Sequence, residues 1–204
     1  MTDTPKTAKP VLRVITPEVI LSYPHLFEAV AGPDGGEPKF SAVFVAPKGT
    51  DLTALKTAAM TAGANKFGGV EKFKEGVRTG KFYWPFRDDV EDKGYPEGSV
   101  FFSARSKQPP GIVSRFQGPD TKPLPITKEM QKPGDPGEVY AGCHVRASVV
   151  AFAFEFQGMK RGVSFALNNV QKLGEGDRLD SRRAAADEFE ADLSEEPASL
   201  GDLL

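Results

Sequence analysis

The segment KFYWPFR holds the side chains of this sequence that are most suited to chemistry. Four rings and two cations follow one another closely in it, namely Lys81, Phe82, Tyr83, Trp84, Phe86 and Arg87. Rings that stack on bases, beside cations that meet phosphates, are the groups that a single-stranded nucleic-acid site uses. The alternation also fits a core strand that buries every second ring. We therefore predict a division of the rings, with Tyr83 or Trp84 exposed, and every member except Phe82 is a candidate contact.

Three further sets of side chains could extend such a site. They are Arg105, Lys107 and Arg115 in the proline-rich stretch SARSKQPPGIVSRF, Tyr140, His144 and Arg146 on a strand, and Lys160 and Arg161 at a hairpin tip. The cations are candidate phosphate contacts and the rings are candidate stacking partners. Ordinary solvated charge is the alternative for each set.

The strand that carries the second set spans residues 139–157 and is the clearest in the sequence. Its alternation places one series on a shared face, namely Tyr140, His144, Arg146, Ser148, Val150, Phe152, Phe154 and Phe156. We interpret the Phe-rich half of this face as core. The polar half then leaves the core, which makes its Tyr, His and Arg a candidate binding face.

Signals of an enzyme are absent from the sequence. Cys143 and His144 are neighbours on a strand, so their side chains point to opposite faces and cannot form a catalytic dyad. His25 is the only other histidine and no CxxC pair exists, which argues against a zinc site. The acidic run at residues 88–92 could hold a hard cation, but a solvated loop fits it better. We predict no catalysis, no metal and no cofactor.

The last eighteen residues, 187–204, are acidic and carry no basic residue. Seven of the 28 acidic residues lie here, so 21 remain against the 26 basic residues of the body, a net charge of +5. A tethered acidic segment competes with polyanions for a basic surface, although it could serve solubility alone. The candidate partner-docking residues are Asp187, Glu188, Phe189, Glu190, Asp192, Glu195, Glu196, Asp202, Leu203 and Leu204.

The elements that must position these residues are mainly strands. Gly and Pro are abundant, at 21 and 17 residues, which favours short strands with long loops. Helical patterns occur over residues 51–66 and near 70–80. We predict a mainly β fold, an OB-fold-like antiparallel barrel or a sandwich with an inserted helix, plus a disordered acidic tail. The expected division is a flexible arm at 1–10, a domain at 11–180 and the tail at 181–204.

Two long stretches and the acidic tail together resemble a family of bacteriophage single-stranded DNA-binding proteins, once catalogued as a domain of unknown function. The stretches are PFRDDVEDKGYPEGSVFFSARSKQPPGIV at 85–113 and AGCHVRASVVAFAFEFQGMKRGVSFALNNVQKLGEGDRL at 141–179. The family is similar to the replication binding proteins of short-tailed phages. Acidic tails of such proteins commonly end in an aromatic residue, whereas this one ends in Leu203 and Leu204.

The resemblance implies an OB-fold that binds single-stranded DNA (ssDNA) without sequence preference in phage replication, recombination or repair. It also implies that the tail docks replication proteins such as a polymerase or helicase. The location would be the cytoplasm of the infected bacterium, because no apolar run long enough for a membrane span is present. A homodimer is one option for the oligomeric state.

Three other functions are compatible with parts of the sequence. An RNA chaperone would use the same rings and cations. An interaction scaffold would use the acidic tail to recruit host proteins, with the rings serving only as core. A small hydrolase would need the carboxylates at residues 88–92, for which no nucleophile is visible. Exposure of Tyr83, Trp84 and Tyr140 beside basic residues separates a binding surface from a scaffold.

Overall fold

The computed structural model of the chain describes residues 12–32, 35–91, 93–118, 120–156 and 160–179. The arm expected at 1–10 and the tail expected at 181–204 lie outside these residues. The strands are β1 (Arg13–Ile15), β2 (Val19–Val30), β3 (Lys39–Ala46), β4 (Val100–Ser106), β5 (Gly111–Gln117), β6 (Pro123–Pro125), β7 (His144–Phe156) and β8 (Lys160–Gly174). The helices are α1 (Thr53–Phe67) and α2 (Val70–Arg78), with a 3-10 turn at Lys128–Met130.

Five of the strands close into a ring. The hydrogen-bonded order is β1-β7-β2-β3-β4-β8-β5-β6, and a further pairing of β7 with β8 joins β7, β2, β3, β4 and β8 into a barrel. All ring contacts are antiparallel except β4 with β8, which is parallel. This arrangement is the five-stranded barrel of the OB type, and it confirms the mainly β prediction.

The barrel interior is filled by one face of each ring strand. Val145, Val149, Phe44, Phe102 and Phe165 are at most 1% exposed and belong to one continuous core. Small side chains of β7 point inward with these residues, since Ala147 and Ala151 are also buried, as is Cys143 just before the strand. The outer face of the same strands is therefore free to carry a binding site.

Both helices pack on the barrel through aromatic rings. Phe73 of α2 is fully buried between Phe67 and Phe82, at centroid distances of 5.8 and 5.5 Å. Gly76 of α2 lets this packing form, because a Cβ there would lie 2.0 Å from the Phe82 ring. The rings thus fix segment 81–84, which pairs with β8 at Gly162.

The expectation for β7 is wrong in two respects. The strand begins at His144, so Tyr140 lies in the preceding turn and does not share the strand face of His144 and Arg146. The Phe-rich half of the strand is not core either, because Phe152 and Phe156 are 41% and 67% exposed. Phe44, Phe102 and Phe165 of the other strands fill the barrel interior, so β7 contributes only small side chains to it and its own Phe residues face outward.

Candidate nucleic-acid interface

A groove of 630 Å³ crosses the outer face of β3, β4, β8 and β7. Its lining combines rings, cations and small polar side chains, namely Lys39, Tyr83, Arg87, Ser103, Arg105, Ser106, Lys107, Phe152, Phe154, Phe156, Ser164, Phe165 and Ala166. In OB-folds the face of the second and third barrel strands, here β3 and β4, is the surface that binds oligonucleotides. We call this surface the groove.

The rings of the groove form a row along the β7–β8 hairpin. Phe154 lies 6.2 Å from Tyr83 and 5.7 Å from Phe156, measured between ring centroids. Tyr83, Phe152 and Phe156 are 46%, 41% and 67% exposed, a large exposure for side chains of this type. Rings with a free face beside one another are a platform on which successive bases can stack.

Segment 81–84 divides its rings as the alternation predicts. The Tyr83 amide donates to the Arg161 carbonyl at 2.8 Å, and the Tyr83 carbonyl accepts from the Val163 amide at 3.0 Å. This pairing turns Tyr83 toward the groove and Phe82 toward the helices. Phe86 is 9% exposed and contacts Phe102 and Phe165, so the prediction that it contacts nucleic acid conflicts with its place in the core.

Trp84 is half-buried and packs on Phe73 and Phe86, at centroid distances of 6.2 and 5.4 Å. Because it faces the core, we expect Trp84→Ala to lower the melting temperature while the folded fraction keeps its affinity for ssDNA. Thermal unfolding with a parallel oligo-dT titration measures both. A folded variant with a loss of about 1–3 kcal/mol of binding would instead show that Trp84 stacks on a base.

Four cations surround the rings. Lys39, Arg87, Arg105 and Lys107 line the groove, and all except the half-buried Lys39 are exposed. Lys107 lies 2.6 Å from Glu37, and this hydrogen bond lowers the pKa of Glu37. Arg87 stacks over the Phe101 ring at 4.5 Å, which holds its guanidinium beside the groove. These charges can contact phosphates while the rings hold bases.

A second depression of 360 Å³ continues the groove toward β2. It shares Lys39, Ser103 and Arg105 with the groove and adds Tyr23 and His25. Tyr23 is 62% exposed and has φ of 44°, a left-handed conformation that a bulky residue rarely adopts. An irregularity in the β2–β3 register between Ser22 and His25 produces this conformation and presents the ring.

Several candidate residues lie apart from the groove. His144 is hydrogen-bonded to Glu18 at 2.8 Å, and Arg146 donates a hydrogen bond to Gln171 at 2.7 Å. Arg146 lies about 20 Å along β7 from Phe152, from the rise per residue of a strand. The Tyr140 hydroxyl donates to the Gly176 carbonyl at 3.0 Å. Contact of these residues with DNA stays a prediction, and their bonds show a structural role as well.

Arg115 also lies outside the groove. It stacks over the exposed Phe116 at 5.0 Å on the β5–β6 hairpin. Lys160 is exposed at the start of β8, and Arg161 points to the helix side, over Phe82 at 5.2 Å. Lys81 lies on that side too. DNA contact by these four cations is likewise untested.

The residues that the sequence reasoning missed are Tyr23, Lys39, Phe152, Phe154 and Phe156. A signal for the three Phe residues was available. They alternate with Ala151 and Ala153, and small side chains on one face of a strand can pack against larger core rings from its neighbours. Tyr23 had no comparable signal, since its exposure depends on a local irregularity of β2.

No site for chemistry on bound DNA is evident in the part of the chain that the structure covers. Burial raises the pKa of the Cys143 thiol, which disfavours the reactive thiolate. Within the described ranges, no three His, Cys, Asp or Glu residues are grouped to hold a metal ion. Among the helices so described, none is long and apolar enough to cross a membrane. The candidate docking residues at 187–204 lie outside the described residues.

Comparison with known proteins gives concordant matches. A family model described as "Enterobacter phage Enc34, ssDNA-binding protein" matches residues 12–199. A protein named "Putative protein p50", from Acyrthosiphon pisum secondary endosymbiont phage 1, is 30% identical over 182 residues, covering 86% of this chain and 91% of the relative.

Two solved structures share the fold. One is the single-stranded DNA-binding protein from bacteriophage Enc34 in complex with ssDNA, with a TM-score of 0.60 and 23% identity, covering 81% of this chain and 88% of that chain. The other is gp2.5, a single-stranded DNA-binding protein encoded by bacteriophage T7. Its TM-score is 0.54 at 12% identity, and the match covers 88% of this chain and 98% of that chain.

Proposed function

Because the chain belongs to the family of phage ssDNA-binding proteins represented by that of Enterobacter phage Enc34, we propose that it binds ssDNA in the groove. The observation that carries the proposal is the row of groove rings, of which Tyr83, Phe152 and Phe156 are exposed, beside the cations Arg87 and Arg105. Every base has a face that can stack, so rings give affinity without sequence preference. The cations add a sequence-independent attraction to phosphates.

The role we infer is the coating of single strands during phage replication, recombination or repair in the host cytoplasm. Stacking and phosphate contact need no catalytic group and no cofactor. An extended strand would run across the barrel, from the depression at Tyr23 on β2 to the rings on β7. The continuity of the two concave surfaces, which share Lys39, Ser103 and Arg105, supports this path.

The acidic tail is proposed to compete with DNA and to dock replication partners. The last described residue, Leu179, lines a small depression with Tyr23, Pro24 and Lys93. The last described residue therefore lies beside the β2 end of the groove, and only seven residues separate it from Asp187. A short tether gives the seven carboxylates a high effective concentration near the groove cations.

Deleting residues 187–204 is expected to tighten ssDNA binding, with the largest gain at low salt, where screening is weakest. The gain follows from removing seven tethered negative charges. Paired titrations of the full-length and truncated chains at low and high salt measure it. Identical curves at both salts would leave docking or solubility as the tail's role.

The test of the proposed function is an electrophoretic shift with labelled ssDNA and with duplex at two salt concentrations. We expect a preference for ssDNA, and a log K that falls with log salt by about 0.7 for each phosphate neutralised. An RNA oligomer of the same sequence serves as a comparison. Equal affinity for duplex, or affinity that salt does not change, would contradict the proposal.

A further inference from the structure

A further concave surface lies on the opposite side of the β7–β8 hairpin from the groove. Phe154 and Phe156 face the groove, whereas Glu155, which alternates with them, faces this further surface together with its cross-strand partner Arg161. Helices α1 and α2 form the other wall. The surface has a volume of 610 Å³, and we call it the helix cleft.

The helix cleft carries an excess of positive charge. Four cations line it, namely Lys66, Lys72, Lys81 and Arg161. Its carboxylates are Glu75, which Arg78 already holds at 2.7 Å, and Glu155, which is 3.9 Å from Arg161. Across the described ranges, the three lysines have no carboxylate within 4.0 Å. Their charges are therefore available to an anion.

Two buried, stacked rings form the floor of the helix cleft and support its cations. Phe67 and Phe82 stack at 4.4 Å beneath the cleft, and both are 8% exposed. The Arg161 guanidinium lies over the Phe82 ring. The Lys72 side chain folds back over Gly68, so that its Nζ would be 3.5 Å from a Cβ placed on that glycine. The floor rings have little free surface for a base, so the cleft suits phosphates.

The helix cleft adjoins the end of the groove. Lys81 is two residues before Tyr83, and the Arg161 carbonyl accepts from the Tyr83 amide. A strand that stacks on Tyr83 has only to pass segment 81–83 to meet the cleft cations. Since ssDNA is flexible, such a turn around the hairpin is open to it.

We propose that ssDNA longer than the groove continues past Tyr83 into the helix cleft, where Lys66, Lys72, Lys81 and Arg161 contact its phosphates. The inference rests on the proposed function and extends it. Lys66 and Lys72 belong to α1 and α2, outside the barrel, so the helices become part of the DNA path. The cleft contributes affinity and site size without base recognition.

The double variant Lys66→Gln, Lys72→Gln tests this path with two oligo-dT lengths at about 0.1 M salt. An OB-fold covers about 4–16 nucleotides, so oligomers of about 6 and about 16 separate the groove from the longer path. We expect affinity for the longer oligomer to fall on the order of tenfold, with the salt slope reduced by about 1.4, because two phosphate contacts are lost. Affinity for the shorter oligomer should stay within about twofold.

Lys48→Gln, Lys56→Gln is the matched control, because it removes the same charge from exposed positions outside the cleft. An equal loss on both lengths, or in the control, would overturn the proposal in favour of a general effect of positive charge on DNA affinity. Unchanged binding of both lengths would overturn it too. If the wild-type chain binds neither oligomer, the proposed function itself fails.

Discussion

Phe152→Ala combined with Phe156→Ala is expected to weaken ssDNA binding by at least about thirtyfold while leaving the fold intact. Each stacked base contributes about 1–3 kcal/mol, so two lost rings remove about 2–6 kcal/mol if the effects add. Both rings lie on the outer face of the barrel, 41% and 67% exposed, so their removal leaves no cavity in the core.

Fluorescence titration with labelled oligo-dT, alongside thermal unfolding, measures this effect. Phe116→Ala is the control, since Phe116 is 59% exposed on the β5–β6 hairpin, away from the groove. It should leave affinity within about twofold, because it removes no stacking ring from the path. Equal losses in the double variant and the control would show that the groove has no special part in binding.

Phe73→Ala is expected to lower the free energy of unfolding by about 3–5 kcal/mol, the usual cost of deleting a buried Phe ring. Phe73 is fully buried and contacts Phe67, Phe82 and Trp84. Its loss would loosen both helices from segment 81–84, which presents Tyr83. A domain of this size is stable by only about 5–15 kcal/mol, so the variant should lose much of its stability.

Urea unfolding followed by circular dichroism checks this expectation. Val70→Ala in the same helix is the matched control, because Val70 is 43% exposed, and its effect should stay within about 0.5 kcal/mol. Similar midpoints for Phe73→Ala and the wild type would show that the aromatic stack does not hold the helices on the barrel.

The sequence predicted the elements that periodicity and turn residues define. Helix α1 was expected at 51–66 and is Thr53–Phe67, and the second helical pattern, near 70–80, is α2, Val70–Arg78. The sequence also predicts the division of rings in KFYWPFR, because alternation on an extended segment places Tyr83 on the opposite face from its neighbours. Both results depend on local chain geometry.

The groove could not be assembled from the sequence, because it depends on which strands become neighbours. Lys39, Arg105 and Phe152 are distant in the chain, and only the barrel closure places them around one surface. The orientation of β7 was wrong for a related reason. Its two faces differ in side-chain size as well as polarity, and the small series is the inner one because Phe44, Phe102 and Phe165 of neighbouring strands fill the space that it faces.

The most direct test of ssDNA binding in the groove is photo-crosslinking of an iodouracil-substituted oligonucleotide to the full chain. The crosslinked residues are identified by mass spectrometry. Crosslinks require a base within contact distance of a side chain, so they locate the DNA. We expect crosslinks at Tyr83, Phe154 and Phe156, with Tyr23 at the other end of the path. Crosslinks concentrated at Phe116 or Tyr140, with none on the groove rings, would contradict it.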